Sequence, residues 1–164
     1  MTDLMRPALF CFMLFALGGC MSGAKEQPTD LLKVKLSELS NEPIDFGQYK
    51  GKTVFINFWA TWCKPCIQEM PTIEAAQAKL SNENVVFLLA SNEDEDLMDR
   101  FIKKNAYQFH YVRLENMEAL KIQALPTTFI FNGNGKLKFS EAGYRQWDSP
   151  ANIELITKIM NDNE

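Results

Sequence analysis

The sequence of 164 residues predicts an α/β fold in which a central β-sheet is flanked by helices. Three runs of β-branched, aliphatic and aromatic residues are typical of strands that are buried on both faces. Helical patterns of apolar residues lie between these runs and after the last of them. The strand-like runs are residues 53–59, 85–90 and 127–131, and the helix-like stretches are residues 65–80, 93–102 and 151–160.

The segment that precedes these elements predicts an N-terminal β-hairpin. Residues 33–39 alternate polar and apolar side chains, as a half-buried strand does. Residues 41–43 (Asn-Glu-Pro) then supply a turn before the apolar residues Ile44 and Phe46.

The helix predicted at residues 65–80 has most of its apolar residues on one broad face. Pro65 suits the first helical turn, where its missing N–H is not needed. Pro71 lies inside the pattern and is expected to kink the helix.

The next part of the chain predicts an inserted helix and strand. The acidic residues 93–96 suit a helix N-terminus because they complement the helix dipole. Leu97, Phe101 and Ile102 are expected to form the buried face of that helix, and residues 109–112 predict the strand.

Residues 117–122 predict a short helix before the last core strand. Residues 132–135 (Asn-Gly-Asn-Gly) then indicate a tight hairpin turn that leads into a strand at residues 136–140.

The N-terminal residues predict export from the cytosol. Residues 8–17 form an apolar run that follows Arg6 and is too short for a membrane-spanning helix, which needs about 20 residues. The sequence Leu-Gly-Gly-Cys at residues 17–20 resembles the bacterial lipobox, whose cysteine becomes the lipidated N-terminus of a lipoprotein. We therefore expect a signal peptide at residues 1–19, a flexible tether at residues 20–30 and one domain at residues 31–164.

The number of cysteines agrees with a lipid anchor. Of the four cysteines, removal of the signal peptide discards Cys11 and leaves three, and an odd number suggests that Cys20 has a use other than a disulfide. A diacylated Cys20 would hold the protein on a membrane outside the cytosol, on the periplasmic side. The alternative is an ordinary secretory signal with a chance cysteine nearby.

Composition argues against several classes of ligand. A net charge of −4 with no basic stripe argues against nucleic acid as a partner. Structural zinc needs four ligands, and beyond Cys63 and Cys66 the chain offers only His110 and the distant Cys20. We therefore expect neither a metal nor another cofactor.

Cys63 and Cys66 carry the chemistry that the sequence predicts. They flank two residues where a strand meets a helix, so the first sulfur lies at a helix N-terminus, where backbone N–H groups and the helix dipole stabilise a thiolate. Cys63 is thus the expected nucleophile and Cys66 the resolving thiol. Lys64 either adds a positive charge beside the nucleophile or is simply exposed to solvent.

The sequence WATWCKPC at residues 59–66 resembles the active-site signature of thioredoxins, and LPTTF at residues 125–129 resembles the loop that carries their cis-proline. The resemblance implies a thioredoxin fold with a central mixed sheet and a cis peptide bond before Pro126. It also implies that Trp59 is buried, that Trp62 and Pro65 lie at the substrate-binding surface, and that Leu125 offers its backbone to a substrate strand.

Within this superfamily the chain looks most like the TlpA/ResA branch of extracytoplasmic thiol-disulfide oxidoreductases, because Glu69-Met70-Pro71 resembles its Cys-x-x-Glu-x-Pro continuation. Thioredoxins have a buried aspartate where this chain has Asn57, which cannot exchange a proton. Glu69 lies on the same side of the helix as Cys66 and could exchange protons with it, although a surface carboxylate is the alternative.

The resemblance favours a reductase, because Pro65 before the second cysteine resembles the reducing thioredoxins. The implied partners are oxidised client proteins, of which apocytochrome c is one candidate, and a membrane electron donor of thiol-disulfide type. Three alternatives remain: a structural disulfide, a redox-inactive tethered binding module, and a thiol peroxidase of the redoxin group. The peroxidase pattern Pro-x-x-x-Thr-x-x-Cys is not met, since Ile56 and Ala60 occupy its Pro and Thr places.

Overall fold

Six strands form one mixed β-sheet in the computed structural model, which describes residues 30–162. The strands are β1 (Leu36–Ser37), β2 (Thr53–Phe58), β3 (Val85–Ser91), β4 (His110–Leu114), β5 (Thr127–Phe131) and β6 (Leu137–Ala142). Their order across the sheet is β1-β4-β3-β2-β5-β6. The central strands β2, β3 and β4 are parallel, whereas β1, β5 and β6 pair antiparallel with their neighbours.

Three α-helices cover one face of this sheet. They are α1 (Lys64–Lys79), α2 (Glu95–Lys104) and α3 (Pro150–Met160). Their buried side chains pack in one cluster with Phe55 of β2 and Leu89 of β3, which point to the same face because strand side chains alternate. The helical members of the cluster are Cys66, Met70, Ile73 and Ala76 of α1, Met98 of α2, and Ile156 and Ile159 of α3.

The other face of the sheet is covered by shorter segments. Ile56 and Leu88 on this face pack against two 3-10 helices, Leu31–Lys33 and Phe46–Tyr49, and against Leu120 in the connection before β5. None of the helices in residues 30–162 is long and apolar enough to cross a membrane. Residues 1–29, which include the predicted signal peptide, the lipidation site Cys20 and most of the tether, lie outside the described part of the chain.

The N-terminal hairpin is shorter than its sequence pattern suggested. Only Leu36 and Ser37 pair with β4, and the return segment adds two backbone hydrogen bonds, from Ile44 N to Leu36 O (2.9 Å) and from Glu38 N to Glu42 O (2.8 Å). The strand predicted at residues 33–39 is therefore mostly wrong. Its first residue belongs instead to a 3-10 helix that the Asp30 side chain caps, which removes it from the sheet.

The short helix predicted at residues 117–122 is wrong as well. Only turns form there, with a hydrogen bond from Leu120 N to Asn116 O (3.2 Å). Lys121 then takes a φ of +54°, which ends the helical path because helical residues need a negative φ.

The inserted helix is present, and two of its three expected face residues, Phe101 and Ile102, are partly buried against the core. Met98 is fully buried, whereas Leu97 is 39% exposed. The helix begins at Glu95, later than the acidic run suggested, and Glu93 stands outside it.

Helix α1 has Cys63 as its N-cap and continues through Pro71. Residue Pro65 is in the first turn, as predicted, where no intrahelical partner for its N–H would exist. The register of α1 turns Cys66, Glu69, Met70 and Ile73 towards the sheet, and it thereby brings the second cysteine and a carboxylate into the core.

Candidate active site

Cys63 lies where β2 ends and α1 begins. The chain leaves the sheet after Trp59, whose N–H donates to Ala90 O (3.0 Å), and then turns so that Cys63 N donates to Ala60 O (3.1 Å). Cys63 and Cys66 form a disulfide with an S–S length of 2.03 Å and a Cα–Cα distance of 5.3 Å. The backbone N–H of Cys66 also donates to Cys63 Sγ (3.3 Å), so the first sulfur occupies the N-cap position.

The two sulfurs differ in access and in their neighbours. Cys63 is 4% exposed and Cys66 is 1% exposed, so the small opening to solvent is at Cys63. Trp62 next to it is 72% exposed, whereas Trp59 is buried at 1%. Both tryptophans thus lie where the resemblance to thioredoxins implied. Lys64 and Pro65 are exposed between the two cysteines.

The loop before β5 reaches the same end of the sheet, because Thr127 pairs with Phe58, the last residue of β2. The Leu125–Pro126 peptide bond is cis, as the resemblance implied. The loop is fixed by hydrogen bonds from Thr127 Oγ1 to Ala124 O (2.7 Å) and from Gly143 N to Pro126 O (2.7 Å). In the described part of the chain, the backbone groups of Leu125 have no hydrogen-bond partner.

A groove of about 360 Å³ runs beside the cis-proline loop. It lies between the connection that precedes the loop and the edge strand β6. Its walls are formed by Lys121, Ile122, Gln123, Ala124, Thr127, Phe129, Ser140, Glu141 and Ala142. An extended segment of another protein could therefore pass from the cis-proline loop along this edge.

Glu69 is fully buried behind the disulfide, three residues after Cys66 on α1. The indole N–H of Trp147 donates a short hydrogen bond to Glu69 Oε1. Glu69 Oε2 is buried and accepts no hydrogen bond within the described residues. The alternative of a surface carboxylate is therefore excluded, because neither oxygen reaches solvent.

Burial raises the pKa of Glu69 to about 7, because the charged form loses its hydration. The hydrogen bond from Trp147 opposes this effect, and so do the Arg145 backbone, the Asn57 side chain and the positive charge of Arg145. A carboxyl group with a pKa near neutrality can both take up and release a proton under physiological conditions.

Asn57 occupies the sheet below Glu69, at the position where thioredoxins have an aspartate. It is buried, and its Nδ2 donates to Thr128 Oγ1 (3.0 Å) on the neighbouring strand β5. Its Oδ1 has no partner among residues 30–162. Asn57 cannot ionise, whereas the buried Glu69 can.

Sequence reasoning missed the loop that supports Glu69. Trp147 is 1% exposed, and its backbone N–H donates to Thr72 Oγ1 on α1 (3.1 Å). Arg145 stacks over the rings of Phe139 (5.0 Å) and Trp147 (5.7 Å). The only signal was a single tryptophan inside the polar stretch before the last helix, which is an unusual place for a residue of that size.

His110 is away from this site. Its Nε2 lies 2.9 Å from Glu38 Oε2, so it joins β4 to the N-terminal segment. Within residues 30–162, no three His, Cys, Asp or Glu side chains are grouped so that they could hold a metal ion.

Comparison with known proteins gives the family. The redoxin family model matches residues 26–155. The thiol-disulfide oxidoreductase ResA of Bacillus subtilis is 31% identical over 137 residues, which are 79% of this chain and 76% of that protein. The ResA of Halalkalibacterium halodurans is 34% identical over 106 residues, which are 62% of this chain but only 60% of that relative's length.

The fold recurs in solved structures. The pneumococcal exposed lipoprotein thioredoxin from Streptococcus pneumoniae superposes with a TM-score of 0.61 at 21% identity, covering 78% of this chain and 98% of that one. The predicted mixed sheet, with its hairpin and its inserted helix and strand, is therefore confirmed as a thioredoxin fold. The chain belongs to the redoxin family, as a thioredoxin-fold homologue of the ResA thiol-disulfide oxidoreductases.

Proposed function

We propose that this oxidoreductase works as an extracytoplasmic reductase that transfers electrons from the Cys63–Cys66 dithiol to disulfides of client proteins. The observation that carries the proposal is the redox-active arrangement itself. A disulfide spans the first turn of α1, and an ionisable carboxylate is buried one turn further along.

In the first step, the Cys63 thiolate attacks one sulfur of the client disulfide. That S–S bond breaks, a Cys63–client disulfide forms, and the other client sulfur leaves as a thiolate that takes up a proton. The N–H of Cys66, which points at Cys63 Sγ, stabilises the attacking anion, as does the helix dipole.

In the second step, Cys66 displaces the client. Glu69 in its carboxylate form accepts the proton of the Cys66 thiol, and the resulting thiolate attacks Cys63 Sγ. The Cys63–client bond breaks, the intramolecular disulfide forms, and the client leaves with both sulfurs reduced. A membrane thiol-disulfide donor then returns two electrons to the Cys63–Cys66 disulfide, and the proton on Glu69 passes to the regenerated Cys66 thiol.

The client would bind as an extended strand beside the cis-proline loop. The unpaired backbone groups of Leu125 are available to hydrogen-bond such a strand, and Pro126 limits how closely it approaches. Trp62 and Pro65 offer exposed apolar area next to the reactive sulfur, and Lys64 adds a positive charge there. Oxidised apocytochrome c is one client of the required kind.

We also propose that Cys20 carries a diacylglyceryl anchor after removal of residues 1–19 as a signal peptide. Two acyl chains hold a protein on a bilayer stably, whereas one does so only marginally. Residues 20–30 would then serve as the tether of a redox domain at residues 31–164, on the periplasmic side of the membrane.

Insulin reduction by dithiothreitol tests the activity in the full chain. We expect the parent to accelerate precipitation of the reduced insulin, Cys63→Ser to lose the acceleration, and Cys66→Ser to accumulate a mixed disulfide through Cys63. Equal turnover by the parent and Cys63→Ser would instead favour a redox-inactive binding module.

The direction of electron flow is tested by equilibration with glutathione. A reductase should have a reduction potential near that of thioredoxin, roughly −270 mV, whereas an isomerase or oxidase lies between about −180 and −120 mV. A value in the second range would overturn the proposed direction while leaving disulfide exchange intact.

The role of Glu69 is tested by Glu69→Gln, which keeps the shape of the side chain but cannot exchange a proton. We expect resolution of the mixed disulfide to slow at neutral pH by about 10² to 10³, a usual contribution of general acid–base catalysis. Unchanged rates across a pH series would remove Glu69 from the mechanism.

A further inference from the structure

The active-site turn is held from outside by a carboxylate on the inserted segment. Thr61 and Trp62 are the central residues of the turn that the bond from Cys63 N to Ala60 O closes. Glu93 Oε2 accepts from the backbone N–H of Thr61 at 2.6 Å, and Glu93 Oε1 accepts from Thr61 Oγ1 at 2.7 Å. One carboxylate thus binds both donors of a residue that lies two positions before the nucleophile.

Glu93 is itself oriented by its surroundings. Ser91 Oγ donates to Glu93 Oε2 (3.3 Å) and accepts from Glu93 N (3.3 Å), which fixes the carboxylate relative to the end of β3. Glu93 is not used by α2, because that helix begins two residues later. Although Glu93 belongs to the acidic run, it therefore stabilises the active-site turn and does not complement the dipole of α2.

These hydrogen bonds are of the strong kind. Hydrogen bonds to a carboxylate are shorter than bonds between neutral groups and about twice as strong. The two bonds from Thr61 to Glu93, at 2.6 and 2.7 Å, are short by this comparison. The same segment adds an apolar contact, since Phe101 of α2 packs on Trp59 with ring centroids 4.8 Å apart. The active-site turn is consequently fixed at its start by packing and at its middle by charge-assisted hydrogen bonds.

We infer that Glu93 is a positioning residue for disulfide exchange, which holds the Ala60–Cys63 turn so that Cys63 stays within bridging distance of Cys66 and Trp62 stays at the client surface. The inference rests on the proposed function, because it concerns the same pair of sulfurs. Glu93 acts through Thr61, and among residues 30–162 its carboxylate forms no hydrogen bond with Cys63 or Cys66.

Loss of the hydrogen bonds between Glu93 and Thr61 should shift the equilibrium between the Cys63–Cys66 disulfide and the dithiol. In the disulfide form the turn at residues 60–63 is ordered and holds Cys63 near Cys66. If the turn becomes more mobile, the effective concentration of one sulfur at the other falls, and the dithiol is favoured. A purely structural surface contact would not move the reduction potential.

The test compares Glu93→Ala with Glu95→Ala in the full chain. Glu95 belongs to the same acidic run, is exposed and forms no side-chain hydrogen bond among residues 30–162, so both variants lose one like charge. We expect Glu93→Ala to lower kcat/KM for insulin reduction at least fivefold and to shift the equilibrium with glutathione towards the dithiol at least threefold, or about 14 mV. Glu95→Ala should match the parent in both measurements.

A second pair of variants keeps the inference testable if Glu93→Ala does not fold. Thr61→Val loses only the hydroxyl bond to Glu93, and Thr61→Ser retains it. We expect a smaller shift of the equilibrium in Thr61→Val, with restoration in Thr61→Ser. Parent-like rate and equilibrium in folded Glu93→Ala, or in Thr61→Val, would overturn the inference, whereas an inactive parent would overturn the proposed function instead.

Discussion

Glu69 combines complete burial with an ionisable side chain, and this combination costs free energy whenever the carboxylate is charged. The cost is tolerated because Trp147 donates a hydrogen bond and Arg145 contributes a positive charge. A carboxyl group in this environment is a candidate functional residue, since shifts of this size are concentrated at active sites.

The first prediction concerns stability against pH. The pKa of Glu69 rises from 4.5 to about 7 on folding, so the folded state binds the proton more tightly and loses stability as pH rises through that interval. Glu69→Gln removes this loss. The free energy of unfolding of Glu69→Gln minus that of the parent should therefore increase by about 3 kcal/mol between pH 4 and pH 8.

Urea unfolding at a series of pH values measures this difference. Glu83→Gln, an exposed glutamate outside the site, is the matched control and should give a flat difference. A flat difference for Glu69→Gln as well would mean that Glu69 does not titrate abnormally.

The second prediction concerns the partner of Glu69. In the parent, the hydrogen bond from the indole N–H of Trp147 lowers the pKa of Glu69. Trp147→Phe keeps an aromatic ring in the core but removes this N–H. We expect the pKa of Glu69 to rise by about one further pH unit, because a hydrogen bond to a charged group contributes about 1.5 kcal/mol or more. A carboxyl carbon NMR titration measures it.

The control for that substitution is Trp59→Phe. Trp59 is as buried as Trp147, but its indole nitrogen has no hydrogen-bond partner in the described region. Equal titration of Glu69 in the two variants would show that loss of a buried tryptophan, rather than of the hydrogen bond, causes the change.

At the scale of elements, the strands and helices that were predicted correctly are those with a continuous or strongly periodic run of apolar residues. Strands β2, β3 and β5 are continuous apolar runs, and α1 has a wide apolar face, so their burial follows from composition. The helix predicted at residues 117–122 was wrong because a helical spacing of apolar residues also fits consecutive turns. The positive φ that ends the helical path is at Lys121 and not at a glycine, so the sequence contains no signal for it. The N-terminal strand was predicted too long because its alternating pattern does not report that Asp30 caps a 3-10 helix over residues 31–33 and that only Leu36 and Ser37 pair with β4.

The site divides in the same way. Cys63 and Cys66 are singled out by their spacing at a strand–helix junction, whereas Glu69 and Pro126 were singled out by the resemblance of two short motifs to thioredoxins and their TlpA/ResA branch. The supporting contacts join residues far apart in the chain: Trp147 is 78 positions from Glu69, and Glu93 is 32 positions from Thr61. No periodicity reports such tertiary contacts, so these residues could be found only from the fold.

The third prediction concerns the hairpin between β5 and β6. Asn132 is fully buried, and its Oδ1 accepts from Asn134 N (3.1 Å) and Lys136 N (3.0 Å), while its Nδ2 donates to Asp162 O (2.9 Å). Asn132→Ala removes these three hydrogen bonds and should lower the free energy of unfolding by about 2 to 3 kcal/mol. Thermal unfolding of the reduced and oxidised protein measures the loss.

Asn82→Ala is the comparison, because Asn82 is exposed and has no side-chain hydrogen bond among the described residues. Its effect should stay within about 0.5 kcal/mol. Similar losses from both substitutions would contradict the assigned role of Asn132 as the centre of the hairpin.

At the scale of the whole molecule, the active site and the attachment of the N-terminal segment lie at opposite ends of the sheet. The cysteines and the cis-proline loop lie at the end where β2 finishes and β5 begins. At the other end, Asp30 bridges to Lys136 and Leu31 N donates to Gly135 O (2.8 Å), so the first described residues attach to the β5–β6 hairpin. The segment that leads to Cys20 therefore joins the domain at the end away from the sulfurs.

The fourth prediction concerns that attachment. In a bacterial host with a lipoprotein pathway, the full chain should fractionate with membranes, and Cys20→Ser should move it to the soluble extracytoplasmic fraction. Cys11→Ser, in the segment that is expected to be removed, should leave the distribution unchanged. Retention of Cys20→Ser in the membrane fraction would indicate that the apolar residues 8–17 stay attached to the protein.

Asp30 attaches to the β5–β6 hairpin, at the end of the sheet away from Cys63. This attachment affects how the domain would reach both soluble clients and a donor in the membrane. Five residues of β5 separate this hairpin from the cis-proline loop, which is about 15–20 Å. An upright domain would present Cys63 to soluble clients but hold it out of reach of a donor embedded in the bilayer. The ten residues 20–29, which precede Asp30, can span roughly 33 Å, which is long enough for an anchored domain to tip over. Shortening them should therefore slow reduction of the Cys63–Cys66 disulfide by a membrane donor before it slows turnover of soluble clients.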